Sequence, residues 1–240
     1  MNLLLLTADQ FLNDDTAQVS GRQARHIVEI HRAELGQRLR VGRVNGCHGQ
    51  GIVTNISADC VTLSHISLDQ PPPTALPLTL LLAMPRPKML RRLLQTVATM
   101  GVKKLVLHNA ARVEKSFWQT PFLQPASVHE QFVLGLEQAR DTVMPELVVE
   151  KRFRPFVEDR LPDFLEKDTR ALVAHPYDAI PCPVGLPGNQ PVALAIGPEG
   201  GYVPFEIDLL KAQGFSAVSL GERILRVETA VPVALARLFN

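Results

Sequence analysis

The 240-residue sequence contains few cysteines and no long apolar run, and each shortage excludes a class of protein. Its three cysteines are odd in number and form no CxxC pair, which argues against a disulfide framework or a zinc cluster. No segment is long enough to span a membrane, and the opening MNLLLL lacks the basic start and long apolar core of a signal peptide. We therefore expect a globular cytoplasmic protein without a membrane partner.

Several motifs that bind metals or nucleotides are also missing. The seven histidines form no HExxH motif, so no metal site is expected. There is no GxGxxG, and the glycine-rich stretch GPEGG (197–201) lacks the Lys-Ser/Thr ending of a phosphate-binding P-loop. A nucleotide-binding α/β enzyme that uses GPEGG for phosphate nevertheless stays open as an alternative.

The net charge of +1 does not indicate a nucleic-acid binder, but the basic residues are clustered. One cluster holds six arginines against two glutamates: Arg22, Arg25, Arg32, Arg38, Arg40 and Arg43. A second cluster, residues 86–104, holds six basic residues and no acidic one. Such clusters form phosphate-facing surfaces, although solvated helix faces are the alternative. The candidate RNA-binding residues are Arg22, Arg25, Arg32, Lys88 and Arg112.

The pattern of apolar runs predicts two domains. Residues 1–70 contain short β-like runs separated by turn residues, with a helix expected over Gln23–Ala33. The stiff stretch Gln70–Pro73 cannot continue a sheet and marks the boundary. In the second domain, residues 74–240, strands and helices alternate as in a parallel α/β sheet. The expected first-domain strands are Leu3–Leu6, Arg38–Val44, Gly51–Ile56 and Cys60–Ser64; the second-domain elements are strands Leu78–Met84, Lys104–His108, Leu147–Phe153, Arg170–Ala174, Pro191–Ile196 and Ala217–Leu220, and helices Lys88–Met100, Val128–Asp141, Val157–Leu165, Pro204–Gly214 and Glu228–Phe239.

Two strand-to-turn junctions lie one helix apart in the last part of the chain. The strand Pro191–Ile196 runs into GPEGG, and the strand Ala217–Leu220 runs into a turn at Gly221. Neighbouring junctions of this kind are the usual ligand site of an open α/β sheet. Ordinary glycine turns are the structural alternative. The only tryptophan, Trp118, is compatible with base stacking or with packing in the core.

The two stretches IGPEGG and LGERILRVETA resemble the second and third signature loops of SPOUT-class RNA methyltransferases. They are most similar to the RsmE family, which methylates N3 of a uridine in small-subunit ribosomal RNA. The similarity extends to HIVEIHRAELGQRLRV, PKMLRRLLQTVATMGV and GLEQARDTVMPEL, and so covers most of the chain. It implies a SPOUT-type parallel sheet with a carboxy-terminal trefoil knot, preceded by a small PUA-like β-barrel that docks RNA.

The resemblance further implies S-adenosyl-L-methionine as methyl donor, ribosomal RNA of the small subunit as partner and a homodimer through the carboxy-terminal domain. Three loops would hold the donor through Leu172, Ala174, His175, Ile196, Gly197, Pro198, Glu199, Gly200, Gly201, Leu220, Gly221, Ile224, Leu225, Arg226, Thr229 and Ala230. Arg226 is the candidate that stabilises a uracil anion, and Glu199 the candidate proton acceptor. The alternative is that Arg226 and Glu228 only stabilise the loop.

The chain departs from the family in three places. The opening MNLLLLTADQ is not arginine-rich, and Thr99-Met100-Gly101 stands where the family has Glu-Leu-Gly. Residues 137–141, EQARD, stand where the family has Glu-Gln-x-Gly/Asn-Arg. These departures leave open a SPOUT enzyme with a different target nucleotide, and a non-catalytic RNA-binding protein is the alternative from another class.

Overall fold

The computed structural model describes residues 2–57 and 59–239; Met1, Ala58 and Asn240, on which the predicted opening and domain limits partly fall, lie outside the described residues. The chain divides into two compact units. The first comprises Met1–Thr74 with Val133–Met144, and the second comprises Ala75–Phe132 with Pro145–Asn240.

The first unit is built on one six-stranded sheet. Its strands are β1 (Leu4–Leu6), β2 (Phe11–Asn13), β3 (Thr16–Ser20), β4 (Arg38–Arg43), β5 (His48–Ile56) and β6 (Cys60–Gln70). Their order is β1-β4-β5-β6-β3-β2, and every pair is antiparallel except β1 with β4. The four predicted strands are present, whereas β2 and β3 were not predicted. Alternating apolar residues such as Val41, Val53 and Leu63 are buried together and form the core.

The helix predicted over Gln23–Ala33 is shorter and less regular than expected. Helix α1 (Gly21–Arg25) continues as a wide π-turn from His26 to Ile30 and ends there. Arg32 lies beyond it in a left-handed conformation with φ 50°. Arg32 therefore lies outside the helix that was expected to extend to Ala33.

The second unit is a seven-stranded parallel sheet with helices between its strands. Its strands are β7 (Leu78–Ala83), β8 (Lys104–His108), β9 (Glu146–Glu150), β10 (Arg170–Ala174), β11 (Ile180–Pro181), β12 (Val192–Ile196) and β13 (Ser216–Ser219). Their order is β11-β13-β10-β12-β7-β8-β9, with every pair parallel. The helices are α2 (Pro87–Thr99), α3 (Pro125–Ala139), α4 (Phe153–Pro155), α5 (Pro204–Ala212) and α6 (Val227–Phe239). Helix α3 begins in the second unit, and from Val133 onwards its residues belong to the first unit. The α/β class with a parallel sheet is confirmed.

Two elements of the second unit differ from their predictions. The strand expected over Leu147–Phe153 ends at Glu150, because Phe153 already begins α4. In place of a helix over Val157–Leu165, a π-turn and a 3-10 turn run from Phe156 to Phe164. Pro162 has no backbone N–H, which breaks a regular helical ladder at this point.

Helix α3 ends in a left-handed turn at a residue that is not glycine. Arg140 has φ 60°, and the next N–H, that of Asp141, donates to the carbonyl oxygen of Leu136 at 3.1 Å. This is the Schellman ending, in which the left-handed position is usually glycine or asparagine. This chain places an arginine at that position.

An aromatic cluster in the second unit fixes the residue that follows GPEGG. The ring of the fully buried His108 stacks against Phe156 and Tyr202. Its Nδ1 donates to the carbonyl oxygen of Asn109 at 2.8 Å, so Nε2 accepts from the Tyr202 hydroxyl at 2.9 Å. Burial lowers the pKa of His108 to about 4 and, with the Glu206 carboxylate, raises the pKa of Tyr202 well above its usual value. Both side chains are therefore neutral at pH 7.

The lowered pKa of His108 predicts an acid-sensitive second unit. Between about pH 6.5 and pH 4 the unfolded chain binds a proton that the folded chain excludes, so the free energy of unfolding decreases as the pH falls. A shift of this size corresponds to roughly 3 kcal/mol. Urea unfolding at pH 7.5, 5.5 and 4.5 should show this loss, and His108→Gln should show a smaller one. An equal pH dependence in both proteins would contradict the assignment.

Candidate functional site

The carboxyl ends of three neighbouring parallel strands meet at one edge of the second unit's sheet. Ala174, the last residue of β10, lies level with Ile196 of β12 and with Val218 of β13. A cavity of about 320 Å³ opens beyond these ends. Ligands of open α/β sheets bind in such a crevice, and the volume lies within the usual range for small-molecule sites. The three loops that follow these strands are the three that the sequence singled out.

Most of the predicted cofactor-binding residues line this cavity. They are Ala174, His175, Ile196, Gly197, Pro198, Glu199, Gly200, Gly201, Leu220, Gly221, Ile224, Leu225 and Ala230. Three predicted residues, Leu172, Arg226 and Thr229, are not part of the lining. Leu172 is buried inside β10, whereas the side chains of Arg226 and Thr229 are exposed at the start of α6.

The structure adds lining residues that sequence reasoning missed. They are Pro176, Tyr177, Tyr202, Val218 and Ser219, together with Arg112, which was assigned to RNA binding. Tyr202 directly follows GPEGG, so its position in the chain was the available signal. For Arg112 no local signal exists, because it reaches the cavity from the loop after β8.

Neighbouring atoms of the protein itself crowd the positions that a Cβ would take at Gly197 and Gly200. A Cβ on Gly197 would lie 3.0 Å from Cδ2 and 3.1 Å from the backbone N of Tyr202. A Cβ on Gly200 would lie 2.9 Å from Cδ of Arg112. Real Cβ atoms are essentially never found below 3.0 Å, so Arg112 would have to move.

The buried carboxylate of Glu206 ties two segments of the site together. It accepts hydrogen bonds from the N–H of Ala111 at 2.7 Å and from the N–H of Val203 at 2.9 Å. Ala111 precedes Arg112, whose guanidinium donates to the carbonyl oxygen of Gly200. Hydrogen bonds to a carboxylate are stronger than those between neutral groups. Glu206 therefore holds the loop that carries Arg112 against GPEGG.

Both candidate catalytic residues are exposed; Glu199 lines the cavity, whereas Arg226 lies outside its lining. Oε1 of Glu199 accepts a hydrogen bond from the N–H of Arg86 at 3.3 Å, which leaves its other oxygen for a substrate. The carbonyl oxygen of Arg226 accepts from the N–H groups of Thr229 and Ala230, at 2.9 and 2.7 Å. These bonds fix the backbone of Arg226 at the start of α6 while its guanidinium extends into solvent.

His175 is the one histidine in the cavity wall. Its backbone N–H donates to the carbonyl oxygen of Val218 at 3.0 Å, and its ring contacts Tyr177 edge to face. Burial, with a smaller contribution from Lys211, lowers the pKa of His175. The ring is therefore a neutral wall of the cavity at pH 7, in keeping with a binding role rather than a charged one.

The candidate RNA-binding residues are in different situations. Arg25 and Arg32 of the first unit and Lys88 of the second are exposed. The guanidinium of Arg22, by contrast, forms a 2.9 Å ion pair with the buried Glu137. Glu137 also accepts from Nε2 of Gln23, at 3.3 Å, so the ion pair belongs to an internal polar network.

Trp118 is held by its own ring nitrogen. The half-buried indole donates from Nε1 to Oδ1 of Asn109 at 3.0 Å, next to His108. This contact favours the packing interpretation of Trp118 over base stacking.

Within residues 2–57 and 59–239, no cluster of three or more His, Cys, Asp or Glu is placed to hold a metal ion. No helix in the same residues has the length and apolarity needed to cross a membrane.

Comparison with known proteins places these features in a family. A sequence model described as RNA methyltransferase domain matches residues 72–239. The ribosomal RNA small subunit methyltransferase E of Treponema pallidum is 27% identical over 240 residues, which cover 98% of this chain and 90% of that protein.

Two solved structures share the fold over nearly the whole chain. A Legionella pneumophila methyltransferase in complex with SAM has a TM-score of 0.77 at 23% identity, with 98% of this chain and 95% of that one covered. Ribosomal RNA small subunit methyltransferase E of Neisseria gonorrhoeae, bound to S-adenosyl methionine, has a TM-score of 0.73 at 19% identity, with 98% and 96% covered. The resemblance read from the two signature loops is thus confirmed, and the chain belongs to the RNA methyltransferase domain family.

Proposed function

We propose that this protein transfers a methyl group from S-adenosyl-L-methionine to N3 of a uridine in small-subunit (16S) ribosomal RNA. The observation that carries the proposal is the single cavity wall formed by the three loops that follow β10, β12 and β13. The names of the relatives support the substrate class, since they are ribosomal RNA small subunit methyltransferases E. The RsmE resemblance supports N3 of uridine as the atom that is methylated. Cytoplasmic ribosomal RNA is then the expected partner.

The cavity suits a methyl donor with an adenine ring. Ile196, Leu220 and Leu225 give it apolar walls on which a flat ring can pack, and the GPEGG loop gives it a rim of backbone groups. S-adenosyl-L-methionine supplies an activated methyl group on a sulfonium. The protein therefore needs only to align the acceptor and to manage the charge that develops on it.

The chain's own residues can manage the acceptor proton and charge. For N3 of uracil to attack the methyl carbon, its proton must leave. Glu199 is the one carboxylate among the described residues that line the cavity, and its Oε2 has no described partner. As the N–H bond breaks, negative charge spreads over the uracil ring, where the exposed guanidinium of Arg226 stabilises it. The N3–C bond then forms while the C–S bond of the donor breaks.

Gly200→Val should lower the affinity for S-adenosylhomocysteine at least tenfold while the protein stays folded. Its side chain would displace Arg112, whose Cδ lies 2.9 Å from the position of the new Cβ. In an Arg112→Ala background, calorimetry should register a much smaller loss. Equal losses in both backgrounds would mean that valine blocks the ligand directly, and an unchanged affinity would remove GPEGG from the site. ATP, used as the control ligand, should not bind.

Methyl transfer itself is tested by incubating undermethylated 16S ribosomal RNA with the protein and labelled S-adenosyl-L-methionine, followed by mass mapping. We expect one labelled uridine, methylated at N3. Arg226→Ala should lower turnover at saturating RNA more than tenfold, which corresponds to about 1.4 kcal/mol of lost transition-state stabilisation. Lys167→Ala, another exposed cation, should leave turnover unchanged. The absence of any labelled nucleotide would reject the proposed activity.

We also infer that the carboxy-terminal segment is threaded into a trefoil knot. Strand β13 comes late in the chain but pairs between β10 and β11. The segment after β11 lies against the end of α6, since the N–H of Gly185 donates to Arg237 and that of Leu186 to Leu238. A loop that crosses a later helix in this way supports threading.

In the first unit, the curved sheet supports a PUA-like barrel over residues 1–70, with residues 74–240 as the methyltransferase domain.

The apolar face of α6 leaves little exposed surface for the proposed homodimer. Most apolar side chains of α6 pack inside the same chain: Val231, Ala234, Leu235 and Leu238 are buried, whereas Val233 is exposed. Exposed Ile180, Val184 and Ile224 of the second unit remain to support self-association. Light scattering at micromolar concentration should give twice the 26.5 kDa chain mass, and a monomer would contradict the proposal.

A further inference from the structure

A second cavity, of about 280 Å³, lies in the first unit and is lined by arginines. Arg38 and Arg40 reach it from β4, and Arg140 reaches it from the turn after α3. Asn2, His31 and Gln37 complete its polar lining, and no carboxylate is among the described residues that form it. Arg38 and Arg40 alternate along β4 with Leu39 and Val41, so they lie on the face opposite the apolar core.

The three guanidiniums of this arginine pocket are exposed and carry no compensating charge. In the described part of the chain, none of them forms an ion pair or a side-chain hydrogen bond, whereas Arg22, Arg154 and Arg160 each pair with a glutamate. Like charges gathered around one cavity repel each other and create a positive potential there. An anionic group that enters the pocket would relieve this repulsion.

The backbone of Arg140 gives an independent reason to look for a ligand. A non-glycine residue in the left-handed region costs about 1–2 kcal/mol, and glycine would avoid that cost. Favourable interaction with the carboxyl end of α3 is a competing reason for a cation at this position. That interaction requires only a positive charge near the last turn and does not explain two further arginines on β4.

We propose that the arginine pocket binds a phosphodiester group of the RNA substrate, at a site distinct from the methyl-donor cavity. Guanidinium groups present paired N–H donors that match phosphate oxygens. An exposed pocket of this kind holds a small free anion weakly. A polyanion binds such a pocket much better, because each neutralised phosphate releases condensed counterions. The identity of the RNA as 16S ribosomal RNA rests on the proposed function.

The test measures binding of a 16S ribosomal RNA fragment as a function of salt concentration. Arg38→Gln and Arg40→Gln should each weaken binding roughly threefold to tenfold at 0.1 M salt and lower the slope of log K against log salt by about 0.7 to 0.9. Arg140→Gly should have the same effect on RNA while the melting temperature is unchanged or higher, since glycine fits the left-handed position. This last variant separates loss of the ligand contact from loss of folding.

The matched control is Arg152→Gln, which removes one exposed arginine charge outside the pocket. It should leave the salt slope unchanged, and an effect equal to that of Arg38→Gln would overturn the proposal. Unchanged slopes in all three pocket variants would also overturn it. Binding of inorganic phosphate to the pocket without any effect of the variants on RNA affinity would assign the pocket to a small anion and reject the RNA contact.

Two further measurements separate this inference from the proposed function. The pocket variants should bind S-adenosylhomocysteine like the unmodified protein and should methylate RNA with a raised KM and an unchanged kcat. If the unmodified protein binds RNA through the pocket but methylates nothing, the proposed activity fails and the pocket inference stands. If it methylates RNA and the variants keep its KM, the pocket inference fails alone.

Discussion

The proposed active site depends most on the two hydrogen bonds that the buried carboxylate of Glu206 accepts. Its two oxygens are shared between the N–H of Ala111, after β8, and the N–H of Val203, at the start of α5. A neutral glutamine would lose the charge assistance of both bonds, and its NH₂ donor would face one of the two N–H groups, which is itself a donor. The contact of Arg112 with Gly200 and the shape of the rim follow from this attachment.

The architecture of the second unit could be predicted because its strands are short apolar runs and its helices have clear ends. Pro87 begins α2 and the chain turns at Gly101, as their residue types suggest. Strand β2 of the first unit was missed because it is only three residues long and largely exposed. The π-turn after α1 was missed because the spacing of its apolar residues does not distinguish it from an α-helix.

The cavity could be located from GPEGG and the turn at Gly221, since parallel strands bring their carboxyl ends to one edge. The contacts that support the cavity wall from behind could not be predicted from the sequence. Glu206 meets Ala111, and Tyr202 meets His108, across more than ninety intervening residues. Such contacts depend on sheet order, which short-range patterns do not encode. The exposure of Arg226 outside the lining likewise depends on where α6 begins.

The network around Glu137 limits how this chain can change over evolutionary time. Its carboxylate is nearly inaccessible to water and is matched by Arg22 and by Nε2 of Gln23. Loss of Arg22 alone would leave a buried negative charge uncompensated, which costs more than an exposed substitution. The two positions are therefore expected to vary as a pair among descendants, with charge lost or kept at both. If Arg22 is kept during evolution, the cause is its ion pair with a buried carboxylate of the first unit, even though part of its side chain faces solvent.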